Sequence, residues 1–184
     1  MAAAKVVELM VPLSNYAIVH DDATLYDAVV ALEEAQKRFT TQRYAHRAVL
    51  VQDNNGQVVG KLSQWDIIKG LEPRYGEIAD SKALSRTGFT ASFIRSIMKS
   101  QGLWQKPLDN LAQKASQIKV AEVMYNPAEG EYVDLNASLD EAIHQLIMGH
   151  HQSLLVTSEA KVVGVLRLTD VFHEVCSLIK ASRL

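Results

Sequence analysis

Gly60, Ser63 and Asp66 are spaced three apart where the apolar run Val58 to Leu62 gives way to Gln64-Trp65-Asp66-Ile67, and few stretches of the chain carry clearer chemistry. A strand that turns straight into a helix presents unpaired backbone amides and the positive end of the helix dipole, and both favour a phosphate. Ser63 could donate to a phosphate oxygen, Asp66 offers two acceptors for the hydroxyls of a ribose, and Gly60 lets the backbone come close to a ligand. An adenosine phosphate satisfies all three. The same residues also read as an ordinary N-cap followed by an acidic first turn, found in helices that bind nothing. The motif alone leaves both readings open.

Catalysis needs other residues. His144, His150, His151 and His173, with Glu141 and Glu174, invite a metal or hydrolase reading, but no His-Glu-x-x-His or Cys-x-x-Cys spacing is present. The sequence has no nucleophile elbow, Walker loop or dinucleotide fingerprint, and the Gly60 motif lacks the glycines that wrap a polyphosphate. The expectation is a protein that is not an enzyme, with no catalytic cofactor and no metal site.

The Gly60 stretch occurs twice. Val58-Val59-Gly60-Lys61-Leu62-Ser63-Gln64-Trp65-Asp66-Ile67 returns as Val162-Val163-Gly164-Val165-Leu166-Arg167-Leu168-Thr169-Asp170-Val171, and Lys5-Val6-Val7-Glu8-Leu9-Met10 returns as Lys119-Val120-Ala121-Glu122-Val123-Met124. Two anchors in the same order define a duplicated unit. The second copy is shorter where the first runs Arg38-Phe39-Thr40-Thr41-Gln42-Arg43-Tyr44-Ala45, and in the turn where Asp53-Asn54-Asn55-Gly56 faces Ser158-Glu159-Ala160. Loops tolerate such changes.

Each copy reads as strand, helix, strand, strand, helix. Thr24-x-x-Asp27 and Ser138-x-x-Glu141 resemble capping boxes, followed by Leu25, Ala28, Val29 and Leu32, or Leu139, Ala142, Ile143 and Leu146, on one helical face. Ala48 to Val51 with Val58 to Leu62, and Ser153 to Val156 with Val162 to Leu166, read as hairpins. Val171, Phe172, Val175, Leu178 and Ile179 then have the spacing of a helical packing face. Domains are expected over 1–70 and 119–184. The connection, 71–118, is too long for a bare loop. Phe89, Phe93, Ile94, Ile97 and Met98, ended by Gly102, and Leu108, Leu111, Ala112 and Ala115 after Pro107, predict two helices that dock on their own domains.

With 184 residues, 48% hydrophobic and 22% charged, the chain can build an ample core. A net charge of −2 gives no general drive toward nucleic acid or an anionic membrane. Cys176 stands alone, and no apolar run is long enough to cross a bilayer. A cytoplasmic location is expected.

The paired motifs resemble those of the CBS (cystathionine-beta-synthase) domain family, in which two such domains form a Bateman module. The family motif is Gly, Ser or Thr three residues on, and Asp three further. Gly60, Ser63 and Asp66 meet it in full; Gly164 and Asp170 meet it with Arg167 at the hydroxyl position. The resemblance implies an α+β fold of two pseudo-twofold-related domains, each a small sheet flanked by two helices, joined by a helical linker.

It also implies an adenine nucleotide as regulatory ligand, with two unequal clefts. One would join Ser63 and Asp66 to Glu131, Tyr132, His151 and Gln152. The other would join Arg167 and Asp170 to Ala17, Ile18 and the pair His46-Arg47, whose equivalent in tandems of this family contacts nucleotide phosphates. Thr169 beside Asp170 is counted with these contacts, and apolar strand residues such as Ile18, Val49 and Val133 would hold the base. Arg167 could grip a phosphate or fold onto Asp170. The phosphate grip is favoured, because His46, Arg47 and Arg167 together repel unless an anion is present. A homodimer is expected from the family's habit of packing two modules into a disk, with an unidentified effector protein as a further partner. The alternative function is a dimerisation scaffold that binds no ligand.

Overall fold

Thr24 and Ser138 open the long helix of each copy. Thr24 makes a full capping box, its amide and hydroxyl donating to Asp27 Oδ2 at 2.8 Å each while its Oγ1 accepts from the Asp27 amide at 3.3 Å. Ser138 makes only the forward half, accepting from the Glu141 amide at 3.2 Å. Described by a computed structural model over residues 4–38, 45–72, 74–75 and 90–182, the chain runs α1 (Val6–Leu9), β1 (Val11–Pro12), β2 (Ile18–His20), α2 (Leu25–Arg38), β3 (Ala48–Gln52), β4 (Val58–Ser63) and α3 (Gln64–Gly70). It continues through α4 (Ala91–Ser100), α5 (Leu108–Ala115), α6 (Val120–Val123), β5 (Tyr132–Asp134), α7 (Leu139–Gly149), β6 (Ser153–Ser158), β7 (Lys161–Arg167) and α8 (Leu168–Ala181). The insertion at 39–44 and Phe89 lie outside the described residues.

Both copies have the same sheet. β2 lies parallel to β3, which pairs antiparallel with β4; β5 lies parallel to β6, which pairs antiparallel with β7. Alternation along the central strands assigns each side chain a face. Val49 and Val51 enter the core under α2 while Leu50 points the other way; Leu154 and Val156 enter the core under α7 while Leu155 points the other way. Leu50 and Leu155 then meet in a third cluster, with Val11, Tyr16 and Val165, that joins the halves. Both faces of each central strand are therefore covered, which is why these strands read as near-continuous apolar runs.

The halves exchange their leading segments. Val6 of α1 is buried in the core of the second copy, its amide donating to the Ala137 carbonyl at 3.1 Å, and Leu139 donates back to the Ala4 carbonyl at 2.8 Å. Val120 of α6 is buried in the core of the first copy, donating to the Ala23 carbonyl at 2.9 Å, and Leu25 donates to the Ile118 carbonyl at 2.9 Å. β1 then adds to the edge of β7, and Tyr125 bridges Lys61 of β4 in the same way.

Two apolar faces depart from expectation. Both linker helices form, but no residue of α4 is buried among the described residues, and Phe93 and Ile94 are exposed; α5 docks through Ala115. In α8, Val171 and Val175 reach the core, whereas Phe172, Leu178 and Ile179 remain exposed. The helical period places Val171 and Val175 one turn apart over the sheet and turns Phe172 and Ile179 onto a neighbouring stripe. Within the linker, buried Glu72 takes two 2.7 Å bonds from Arg74 and a 3.1 Å bond from the Trp104 amide, tying the stretch just after α3 to the one between α4 and α5.

Candidate functional site

Where β4 enters α3, Ser63 sits in extended conformation and closes a capping box. Its Oγ accepts from the Asp66 amide at 3.2 Å, while its own amide and hydroxyl donate to Asp66 Oδ2 at 2.8 and 2.6 Å. The capping reading of the motif is the one the structure shows, and it occupies part of what the ligand reading would use. The hydroxyl proton expected to reach a phosphate goes to Asp66, and Asp66 spends one oxygen on the cap; Oδ1 takes no hydrogen bond among the described residues.

Gly60 has a packing role. A Cβ there would lie 2.2 Å from the Sδ of Met124, and one on Gly164 would lie 2.7 Å from the Val11 carbonyl oxygen and 2.8 Å from the Sδ of Met10. Met10 and Met124 are equivalent residues of the exchanged segments. Each motif glycine is therefore the place where the entering segment of the opposite half presses on the strand.

The second junction is closed on itself. Arg167 grips Asp170 with Nε on Oδ2 at 2.5 Å and Nη2 on Oδ1 at 2.7 Å, and its Nη1 lies 3.4 Å from His46 Nδ1. Tyr16 completes the group, its ring edge-on to His46 with centroids 4.7 Å apart. All four are buried, between 2% and 6% exposed. Of the two arrangements open to Arg167, the structure shows the pairing with Asp170. Burial, reinforced by the charge of Arg167, holds the neighbouring His46 imidazole below its ordinary pKa. Burial likewise pushes the Tyr16 hydroxyl up to about 12, with Arg167 opposing and Asp170 assisting.

The other half differs residue by residue. Lys61, equivalent to Val165, forms a 2.8 Å ion pair with buried Glu131, equivalent to Ala17, and stands 5.7 Å over the ring of Tyr125, equivalent to Val11. Burial pushes the Glu131 carboxyl up, but the hydrogen bonds from Lys61 and Tyr125 and the charge of Lys61 outweigh it and hold the group below its usual range. The Tyr132 carbonyl accepts from Gln145 Nε2 at 2.8 Å. His151 folds against Gly149, where a Cβ would lie 2.0 Å from its Nε2, after His150 turns the chain at φ 52°.

One pocket of ≈ 250 Å³ brings the two junctions together. Much of its wall pairs equivalent positions, Arg47 with Gln152, Ala48 with Ser153, Ser63 with Arg167, and Trp65 with Thr169, while Tyr16, Ala45, Lys61 and Gln64 line it without their equivalents. It therefore lies between the two halves. Of the residues named from sequence, Arg47, Ser63, Gln152, Arg167 and Thr169 line it. Asp66, Asp170, His46, Ala17, Ile18, Glu131, Tyr132 and His151 do not, although Asp66 stands directly behind Ser63. His46 and Arg47 part company because consecutive residues of an extended chain face opposite ways: His46 is buried and Arg47 exposed. The wall carries three cations, of which Lys61 and Arg167 are already paired with Glu131 and Asp170, while Arg47 has no ion pair among the described residues. A phosphate group is the chemical complement of such a wall.

Tyr16, Lys61, Trp65 and Tyr125 belong to this region and were not singled out from sequence. The aligned repeat carries the signal, since Tyr16 over Gly130, Lys61 over Val165 and Tyr125 over Val11 are among its mismatches. None of the histidines weighed for a metal joins a three-ligand cluster among the described residues; the cluster present is the surface turn His20, Asp21 and Asp22. No described helix is long and apolar enough to cross a membrane.

The profile of the CBS domain matches residues 6–73 and 120–177. No curated protein matches the chain significantly. Among solved structures, the CBS-pair protein CBSX2 from Arabidopsis thaliana is similar at 19% identity and a TM-score of 0.60, covering 97% of this chain and 99% of its own; a second structure of CBSX2, in complex with AMP, gives 0.58 over 95% and 97%. The CBS domain of a membrane protein from Sphaerobacter thermophilus gives 0.61 at 17% identity, over 93% of this chain and 87% of its own. Protein MJ1004 of M. jannaschii gives 0.59 at 16% identity over 95% of this chain, which spans 60% of that protein.

Proposed function

The chain belongs to the CBS domain family, and from that premise we propose that it is a non-catalytic regulatory module that binds an adenine nucleotide between its two halves. The observation that carries this is the pocket between the halves, where Arg47, which has no ion pair among the described residues, lines the wall with Ser63, Lys61 and Arg167. Phosphates complement the cations, and Asp66 keeps one oxygen for a ribose hydroxyl behind Ser63. The AMP complex of Arabidopsis CBSX2 supports the choice of ligand class.

Regulation follows from where the pocket lies. A ligand can shift an arrangement of two bodies only by binding one arrangement better than another, and a ligand touching both halves has the means to do so. The output passes to a second copy or an effector protein. Ile68 of α3 and its equivalent Phe172 of α8 are both exposed, and we propose this repeated apolar face as the homodimer surface.

Mass spectrometry of small molecules released on denaturation, followed by calorimetric titration of AMP, ADP and ATP, tests the reading. The expected result is binding that weakens at least tenfold in Arg47→Ala. Absence of binding by the wild type at millimolar nucleotide would overturn it.

A further inference from the structure

Resting on that reading, we infer that the chain takes one nucleotide, in the cleft of Asp66, and that Tyr16 is the residue that removes the second cleft. The duplication supplies the comparison. Tyr16 is equivalent to Gly130. The Tyr16 ring is 5% exposed, set against His46 and in one apolar cluster with Val11, Leu50, Leu155 and Val165. A Cβ added to Gly130 meets nothing within 4 Å.

The acceptors differ in the same sense. Both oxygens of Asp170 are held by Arg167, whereas Oδ1 of Asp66 takes no hydrogen bond among the described residues. A nucleotide entering beside Asp170 would have to open a bidentate buried pair and expel an aromatic ring from the contact between the halves. By the equivalence of the halves, the place that the Tyr16 ring holds beside Asp170 falls beside Asp66 to exposed Gly130, with half-exposed Tyr125 within reach of the Asp66 charge. Arg167, committed to Asp170, still lines the shared pocket and adds its charge to the single ligand's phosphate end.

Transplanting the closing side chain tests this. Gly130→Tyr is made at an exposed position with open space, so the fold is not threatened, and circular dichroism confirms it. Calorimetry with AMP and ATP is expected to give one nucleotide per wild-type chain, and a loss of affinity of at least tenfold in both Gly130→Tyr and Asp66→Asn. Two nucleotides per wild-type chain, or undiminished binding by Gly130→Tyr, would overturn the inference while leaving the function standing. No binding by the wild type would overturn both.

Discussion

Arg167 holds both carboxylate oxygens of Asp170 at 2.5 and 2.7 Å in a pocket of protein that also contains His46 and Tyr16. A buried ion pair of this kind adds little net stability compared with an apolar replacement, yet losing one partner strands the other charge. Arg167→Met and Asp170→Leu should each cost about 3–5 kcal/mol, and the double substitution much less than their sum. Urea unfolding of the four proteins measures this; additive costs would show that the pair is not a unit.

The same group makes stability depend on pH at both ends. His46 is held below its ordinary pKa, so below about pH 6.5 the unfolded chain binds a proton that the folded one refuses. Stability is complete above that pH and is lost as pH falls toward the folded value. Thermal melts of His46→Gln should show a shallower acid slope than the wild type.

At high pH the sign reverses. Tyr16 is raised from 10.0 to about 12, so the unfolded chain releases its proton first and stability falls between these values. Tyrosinate absorbance should show Tyr16 titrating late, and Tyr16→Phe should lose this part of the alkaline slope.

Glu159 and Ala160 join β6 to β7 with φ of 50° and 64°, both in the left-handed region that Asn and Gly adopt far more readily. Replacing them by Asn-Gly should stabilise the protein by about 1–2 kcal/mol. That corresponds to a rise in Tm of roughly 2–8 °C, readable by calorimetry.

Gly60 separates a packing role from a ligand role. Gly60→Ala should destabilise by about 1–3 kcal/mol through its clash with Met124, and Met124→Ala should restore part of the loss. Weakened nucleotide binding at unchanged stability would return the glycine to the ligand.

What could be read from sequence was local or repeated. The strand order, both hairpins and the caps at Thr24 and Ser138 rest on neighbours within a few residues and on a register that can be checked twice. What could not be read depends on distant partners. Lys61 meets Glu131 across 70 residues and Arg167 meets His46 across 121, so neither pairing leaves a pattern in either stretch alone. The pairing of Arg167 with Asp170, three residues apart, is legible in sequence, but the burial of His46 beside it is a property of the assembled halves.

The exchanged segments have a consequence for how the molecule comes apart. Val6 completes the second core and Val120 the first, so each half lacks an interior piece when cut from the other. Scission in the linker would leave two bodies still hooked through α1 and β1, and either half made alone would expose a gap where its neighbour's helix belongs. The duplication thus behaves as a clasp rather than as beads on a string: it opens as a whole or stays shut, and a signal that turns one half must pull on the other.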